Sequence, residues 1–283
     1  MDTAETYRAQ AAGDVAEIVM LGTGSAFPQH SFNTCFVIRT AAFEWMTDTG
    51  GGNGILGRMQ HAGIAAGEIR HLFISHSHTD HILGAVWIVR SVINRAKSGG
   101  TGDRLTVYGN SDVIETLLTI CRLTLLESHY AMIADLITFH NTDATPRAEL
   151  PGATVAFFDC GLENVRQTGF RMCFDSGRTI VCLGDEALTE RNSAEAAGCQ
   201  LLMCGAFCRY ADRDIFRPYE KHHYTVRDVA IIAERAGIPD LLLYHCEDRD
   251  LDNRARLYTD EASACYSGHV HVPADGDTVL FQL

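Results

Sequence analysis

Ser75-His76-Ser77-His78-Thr79-Asp80-His81 follows the apolar run His71-Leu72-Phe73-Ile74 and precedes a helix-forming stretch that opens near Ile82. A buried strand ending there delivers His76, His78, Asp80 and His81, four ligand-type side chains within six residues, to one loop. His76 and His78 are two apart and point the same way in an extended segment. Asp80 and His81 stand where the chain turns into the helix, aimed at a neighbouring point. Two imidazoles at one centre, with a carboxylate and an imidazole at another a few ångströms away, describe half of a dinuclear metal site. The bland alternative is an exposed polar loop, and this spacing after an apolar strand argues against it.

The chain around this stretch has 283 residues, 46% of them apolar and 21% charged, with 25 glycines and 6 prolines. That is enough to bury a sizeable core, and it excludes disordered and collagen-like classes. No apolar run reaches the ~18 residues of a membrane span. Residues 1–14 mix charge with alanine and lack the apolar centre of a secretory signal, so the expectation is a soluble, cytoplasmic protein with no membrane partner. Thirty-six acids against 23 bases give a net charge of −13, which disfavours unassisted binding to a nucleic-acid polyanion. The ten cysteines are scattered singly without CxxC spacing and read as reduced core thiols rather than a disulfide framework or zinc ribbon.

Short β-rich runs alternate with helical stretches, and no repeat or low-complexity tract interrupts them. Strands are expected at Ile18–Leu21, Cys35–Ile38, Phe43–Thr47, Leu72–Ser75, Leu105–Tyr108, Thr154–Phe158, Phe170–Phe174, Thr179–Leu183, Leu241–His245 and Thr278–Gln282. Helices are expected near Ile82–Arg95, Ser111–Cys121 and Thr225–Ala236. The last is the best punctuated: Thr225 with Asp228 resembles a capping box, and Gly237 followed by Pro239 stops it. Ala96–Asp103 is a loop too short for a domain boundary. The whole chain, 1–283, reads as one α/β domain, with residues 1–14 as a loose leading segment.

HxHxDH after a hydrophobic strand resembles the metallo-β-lactamase superfamily, and further motifs follow in that family's order. Leu21–Pro28 with Asn33 is similar to the opening strand and loop of the ribonuclease Z-like branch. Thr47-Asp48-Thr49-Gly50 resembles the D-x-G turn beneath the metals, and Leu183-Gly184-Asp185 the GD motif. His223-Tyr224-Thr225 is similar to the HST motif, and Leu243-Tyr244-His245 to a strand end that completes the second site. The resemblance runs from about residue 15 to 283. It implies an αββα four-layer sandwich with two central mixed β-sheets. It also implies two divalent cations, zinc first, with manganese or iron as alternatives. His76 and His78 would bind the first metal, Asp80, His81 and His245 the second, and Asp185 would bridge them. His223 would assist the leaving group or the oxyanion, and Asp80 would share in the acid–base work.

One element of that pattern is missing. The branch carries another histidine shortly before the Gly169-Phe170 segment, and residues 157–170 contain none. If the segment is extended, Asp159, Gly161 and Glu163 share a face, which ranks Glu163 and Asp159 above Cys160 as replacements. A bulge at the glycine would reverse the order. A remote histidine such as His140 is a further option. The first metal would keep His76, His78 and Asp185, and its site would be weak or empty without a replacement.

The expected activity is metal-dependent hydrolysis of an ester-like bond, with small anionic phosphodiesters first. Transfer-RNA processing is disfavoured, because the Arg90–Arg104 region lacks the long glycine- and basic-rich arm those enzymes carry. Two other readings stand beside it: a di-iron oxygen-binding or redox protein of the same fold, and a degenerate member that binds metal or ligand without catalysis. A homodimer is compatible with all three. Arg209, Arg213, Arg217 and Lys221 either attract an anion near the metals or are balanced by Asp212, Asp214 and Glu220. Tyr210, Phe216 and Tyr219 either wall a pocket or simply pack. Asp248–Asp252 reads as a solvated loop.

Overall fold

The architecture is that of a computed structural model, which describes residues 15–100, 104–161 and 165–283. Among the described residues, fourteen strands occupy two sheets. The first contains β1 (Val15–Gly22), β2 (Cys35–Arg39), β3 (Glu44–Thr47), β4 (His71–Phe73), β5 (Leu105–Gly109), β6 (Ile137–Asn141) and β14 (Thr278–Gln282), in the order β14-β1-β2-β3-β4-β5-β6. The second contains β7 (Arg147–Leu150), β8 (Ala153–Asp159), β9 (Thr168–Phe174), β10 (Thr179–Cys182), β11 (Leu201–Gly205), β12 (Asp240–Tyr244) and β13 (His269–His271), in the order β13-β12-β11-β10-β9-β8-β7. Each sheet is mixed. β3 to β6 run parallel in the first and β10 to β13 in the second.

Strand alternation decides the layers. Phe36, Trp45, Phe73 and Tyr108 point inward from the first sheet and meet Phe157, Phe170, Met203 and Tyr244 from the second. Trp45 is fully buried there, 4.7 Å from Tyr108 and 5.6 Å from Phe170 by ring centroids. The opposite face of the first sheet, with Met46, Leu72 and Val107, is covered by the helices Gly54–His61, Ala85–Lys97 and Ser111–Thr124. The outer face of the second sheet, with Leu202, Cys204 and Leu243, is covered by Val226–Ala236 and Leu251–Ser263. The result is the expected αββα sandwich. All ten cysteines are free. No described helix is long and apolar enough to cross a membrane.

Each expected strand is present, and four more were not anticipated: β6, β7, β11 and β13. β13 is a polar edge strand, and the apolar run of β11 has no periodicity that separates strand from helix. The expected helix at Ile82–Arg95 is two helices, Thr79–Ile82 and Ala85–Lys97, so Asp80 and His81 sit on a helical turn of their own. Gly84 marks the break, because its backbone lies against Thr49 and a Cβ there would come 2.0 Å from the Thr49 carbonyl oxygen. The capping box at Thr225 and Asp228 is present as expected.

The loop expected at Asp248–Asp252 holds for residues 248–250, with 249–252 exposed, but Leu251 and Asp252 open a helix and Asp248 is tied down. Asp248 Oδ2 accepts the backbone N–H groups of Gln29, His30 and Ser31, and Asp250 caps the helix Leu251–Ser263. That helix hides in a polar sequence because only Arg254, Tyr258 and Ala262 are buried. Its buried guanidinium donates to Thr23 Oγ1 and the Pro273 carbonyl.

Two glycines test this packing in opposite directions. Gly57 lies inside a helix with open space where a Cβ would stand, so Gly57→Ala is expected to stabilise by about 0.5–1 kcal/mol. Gly84→Ala forces backbone apart and is expected to cost about 1–3 kcal/mol. Thermal unfolding midpoints of the two variants should therefore move apart from the wild type, the first upward and the second downward.

Candidate metal centre

The carboxyl ends of the parallel strands gather at one edge of the sandwich, the usual place for a site in an α/β sheet. β3 is followed by Asp48, β4 by the loop with His76, β10 by the turn with Asp185 and β12 by His245. Asp48 and His245 both adopt left-handed backbone, at φ 54° and 56°. Non-glycine residues rarely do so, and here the conformation swings each side chain back over a strand end.

Asp48 is 1% exposed and holds three donors. Its Oδ1 accepts the Ser75 N–H at 2.8 Å, and its Oδ2 accepts Ser75 Oγ and His81 Nδ1, each at 2.8 Å. Those bonds determine ring tautomers. His81 donates its Nδ1 proton to Asp48, which aims Nε2 into the centre. Ser75 Oγ has spent its only proton on Asp48, so His76 Nδ1, 3.0 Å away, must donate to it. Thr34 Oγ1 likewise gives its proton to the Gly24 carbonyl at 2.9 Å, so His245 Nδ1 at 3.4 Å is the donor there. Three imidazoles therefore turn their Nε2 atoms inward.

They converge on one carboxylate. Asp185 Oδ2 lies 3.6 Å from His81 Nε2 and 3.7 Å from both His76 Nε2 and His245 Nε2. Asp80 Oδ2 is 3.1 Å from His81 Nε2. His76 Nε2 and His78 Nδ1 face each other at 2.9 Å. Two groups, His76 with His81 and Asp185, and Asp80 with His81 and His245, each bring three donor atoms within 4.8 Å of one another. His81 Nε2 and His245 Nε2 are buried and make no hydrogen bond. Three ring nitrogens and two carboxylates gathered this closely in a buried pocket fit a bound cation, which would displace any proton between them.

The electrostatics agree. Burial by itself would raise the pKa of Asp80 and Asp185, but the surrounding imidazoles outweigh it and hold both carboxyls well below the usual range. Glu186, next in the chain, is pushed up to about 7 by burial and by the Asp185 charge. Burial lowers His76 to about 4 and His245 to about 3. His81 goes the other way: burial would lower it, yet the Asp48 charge and hydrogen bond raise it well above its ordinary value. His223 sits across from the cluster with its ring 5.2 Å from that of His245, and burial lowers its pKa.

The segment expected to replace the missing histidine is ordered differently from the extended reading. Gly161 is left-handed at φ 81°, and the exposed Asp159 turns its Oδ1 onto the Gly161 N–H. Cys160 is buried with Sγ 3.6 Å from the Leu183 carbonyl. Burial raises the Cys160 pKa well above the ordinary thiol value, so it is held as a neutral thiol outside both converging groups. Glu163 lies outside the described residues. His140 is not at the centre; its Nε2 bonds the Thr145 carbonyl and its ring packs on Tyr108. The supporting roles of Thr34 and Ser75 carried no sequence signal beyond their place next to Asn33 and His76.

These shifts give the metal-free protein a pH signature. His76 and His245 have depressed pKa values when folded, so their contribution is present above the unfolded value of about 6.5 and is lost as pH falls toward 4. The raised pKa of His81 contributes below about 6.5 and is lost as pH climbs through its folded value. Denaturant midpoints of chelator-treated protein should therefore pass through a maximum near neutrality; a flat profile would contradict these environments.

The sequence matches the family described as Anti-Pycsar protein Apyc1 over residues 16–179. Ribonuclease Z of Mycobacterium bovis (strain BCG / Pasteur 1173P2) is 27% identical over 272 residues, covering 92% of this chain and 96% of that protein. Among solved structures, the metallo-β-lactamase fold protein YhfI from Bacillus subtilis superposes with a TM-score of 0.76 at 18% identity, covering 95% of this chain and all of that one. A diphosphatase from the PhnP family superposes at 0.71 and 17% identity, covering 95% of this chain and 98% of that one. With the fold shared and more than half of its length matched, the chain belongs to the Anti-Pycsar protein Apyc1 family, within the ribonuclease Z-like branch of the metallo-β-lactamase superfamily.

Proposed function

We propose that this metallo-hydrolase cleaves small phosphodiesters with the help of two divalent cations, zinc first. His76, His78 and Asp185 would hold one cation, and Asp80, His81, His245 and Asp185 the other. The observation that carries the reading is the set of three Nε2 atoms gathered within 3.7 Å of Asp185, two of them buried without a hydrogen bond. A buried polar atom without a partner costs about 1–3 kcal/mol, and a coordinated cation removes that cost. The nitrogen and oxygen donor set suits zinc, and Asp48 behind His81 is the kind of carboxylate that orients a ligating imidazole.

Bound there, the cations would supply an acidified water as nucleophile and polarise the phosphoryl oxygen under attack. The remaining work falls to the chain. Asp80 stays ionised and can take up the proton of the attacking water. His223 is neutral near pH 7 because burial lowers its pKa, so its ring N–H can donate to the developing charge on the phosphoryl or leaving oxygen. The ribonuclease Z relatives suggest an RNA substrate and the diphosphatase neighbour a small one. The net charge of −13 favours the small one.

The two metal sites are unequal in this proposal, since the His76–His78 side has three protein donors and the other has four. Protein loaded with zinc or manganese should hold about two ions per chain, and graded chelation should strip one well before the second. Asp48→Asn is expected to weaken metal affinity by about 10–100-fold through loss of the His81 support. Activity is checked on bis(p-nitrophenyl) phosphate, a cyclic mononucleotide and a precursor tRNA. Metal-dependent turnover of the first two, lost by about 100-fold or more in Asp185→Asn, supports the reading. Turnover of the precursor tRNA alone overturns the substrate class, and two irons per chain overturn the hydrolytic chemistry. His223→Ala should lower kcat by about 10²–10³ at unchanged metal content.

A further inference from the structure

An aromatic and cationic wall stands beside the metal centre, in the segment between β11 and the helix Val226–Ala236. Phe207 leaves β11 with its ring 5.2 Å from that of His223, which is itself 5.2 Å from His245. Phe216 meets Phe207 edge-on at 6.0 Å. The Lys221 ammonium lies 5.0 Å from the Phe207 ring centre, and the Arg249 guanidinium 4.6 Å from that of Phe216.

The cations of this region divide into two kinds. Arg209 pairs with Asp212 at 2.7 Å, Arg213 with Asp214 at 3.6 Å and Arg217 with Glu220 at 3.6 Å. These are the balanced surface charges. Among the described residues no carboxylate pairs with Lys221 or Arg249, whose charged heads rest on rings instead. Glu247 accepts the backbone N–H of Arg249 and feels its charge, so Arg249 is compensated in part and Lys221 is the freer of the two. An aromatic face positions a cation without neutralising it, so it stays available to an anion.

Lys221 is also held by its backbone. It ends the short turn Pro218–Lys221, bracketed by Arg217 at φ 49° and His222 at φ 60°, both left-handed and neither glycine. Strain of that kind persists where the surroundings impose it, commonly at functional sites. The Tyr219 hydroxyl donates to Asp228 Oδ2 at 2.7 Å, and the His223 N–H to the Pro218 carbonyl at 2.9 Å. The turn is thereby tied to the capped helix and to His223. On the His223 ring the Lys221 charge acts against those of Asp185 and Asp80, which places the ammonium in the field of the centre.

We propose that Lys221, flanked by Arg249, is a specificity-determining residue that draws the phosphate group of a small phosphodiester to the metal centre and disfavours uncharged esters. The inference rests on the hydrolase reading above and adds the feature that selects the substrate. A chain with a net charge of −13 repels anions at long range, so a local cation without a carboxylate partner, here Lys221, is needed to admit one.

Steady-state kinetics of metal-loaded protein test it, with bis(p-nitrophenyl) phosphate as the anionic substrate and p-nitrophenyl acetate as the neutral one. Lys221→Gln should raise KM for the diester about tenfold, leave kcat within about threefold and leave KM for the acetate unmoved. Lys221→Arg should return KM to within about threefold of the wild type, and Arg249→Gln should raise it by a smaller factor than Lys221→Gln. The rise of KM with ionic strength should flatten in Lys221→Gln. Metal content measured on the same samples should equal that of the wild type. An unchanged diester KM in Lys221→Gln, or an equal rise for both substrates, overturns the proposal. If the wild type does not turn over the diester, the hydrolase reading fails by itself, and calorimetric binding of inorganic phosphate then decides Lys221. An approximately tenfold weaker Kd in Lys221→Gln supports its role, and an unchanged Kd overturns it.

Discussion

The buried carboxylate of Asp48 is the constraint on which the centre depends. It joins the end of β3 to the end of β4 through Ser75, and it sets the His81 ring through Nδ1. By taking the Ser75 hydroxyl proton it also dictates the tautomer of His76. One acid, in a backbone conformation that few side chains adopt, thus turns two imidazoles into inward donors before any cation arrives. Its desolvation is offset by three hydrogen bonds, which a neutral residue of the same shape could not all supply.

The sandwich serves that geometry by bringing two halves of the chain to the same edge. The first sheet contributes Asp48 and the His76–His81 turn, and the second contributes Asp185 and His245. Neither half assembles the donor set alone. The aromatic interior around Trp45 keeps the sheets in register, so the strand ends face one another across a few ångströms. Outside the centre, the turn carrying Lys221 and the loop pinned by Asp248 form its approaches, and both are fastened by side-chain carboxylates rather than by sheet pairing.

Much of this was legible in the residues. HxHxDH after an apolar strand announces a metal centre because few other environments place three imidazoles and a carboxylate so closely. The order of the later motifs then singles out Asp185 and His245, each of which is commonplace by itself. Less legible was the run from Asp159 to Gly161, where side-chain direction depends on one glycine dihedral. An extended reading put Asp159 toward the metals, whereas the left-handed Gly161 turns that carboxylate onto its own backbone and buries Cys160 instead. The helix Leu251–Ser263 was hidden for a related reason: its buried stripe includes an arginine whose partners, Thr23 and Pro273, are distant in sequence.

By itself the sequence determined the fold class, the metal-binding motif and the deficit of one histidine, because each is written in local spacing and residue type. Only the tertiary structure decided which cations are neutralised and which are left to meet a substrate, since Arg209 and Lys221 look alike in a list of residues. It alone decided the tautomers too, because a ring proton is assigned by its hydrogen-bond partner. For His245 and His81 those partners, Thr34 and Asp48, come from the other end of the chain or from another strand. Contacts between distant segments have no local signature, and they are where the chemistry of this site is set.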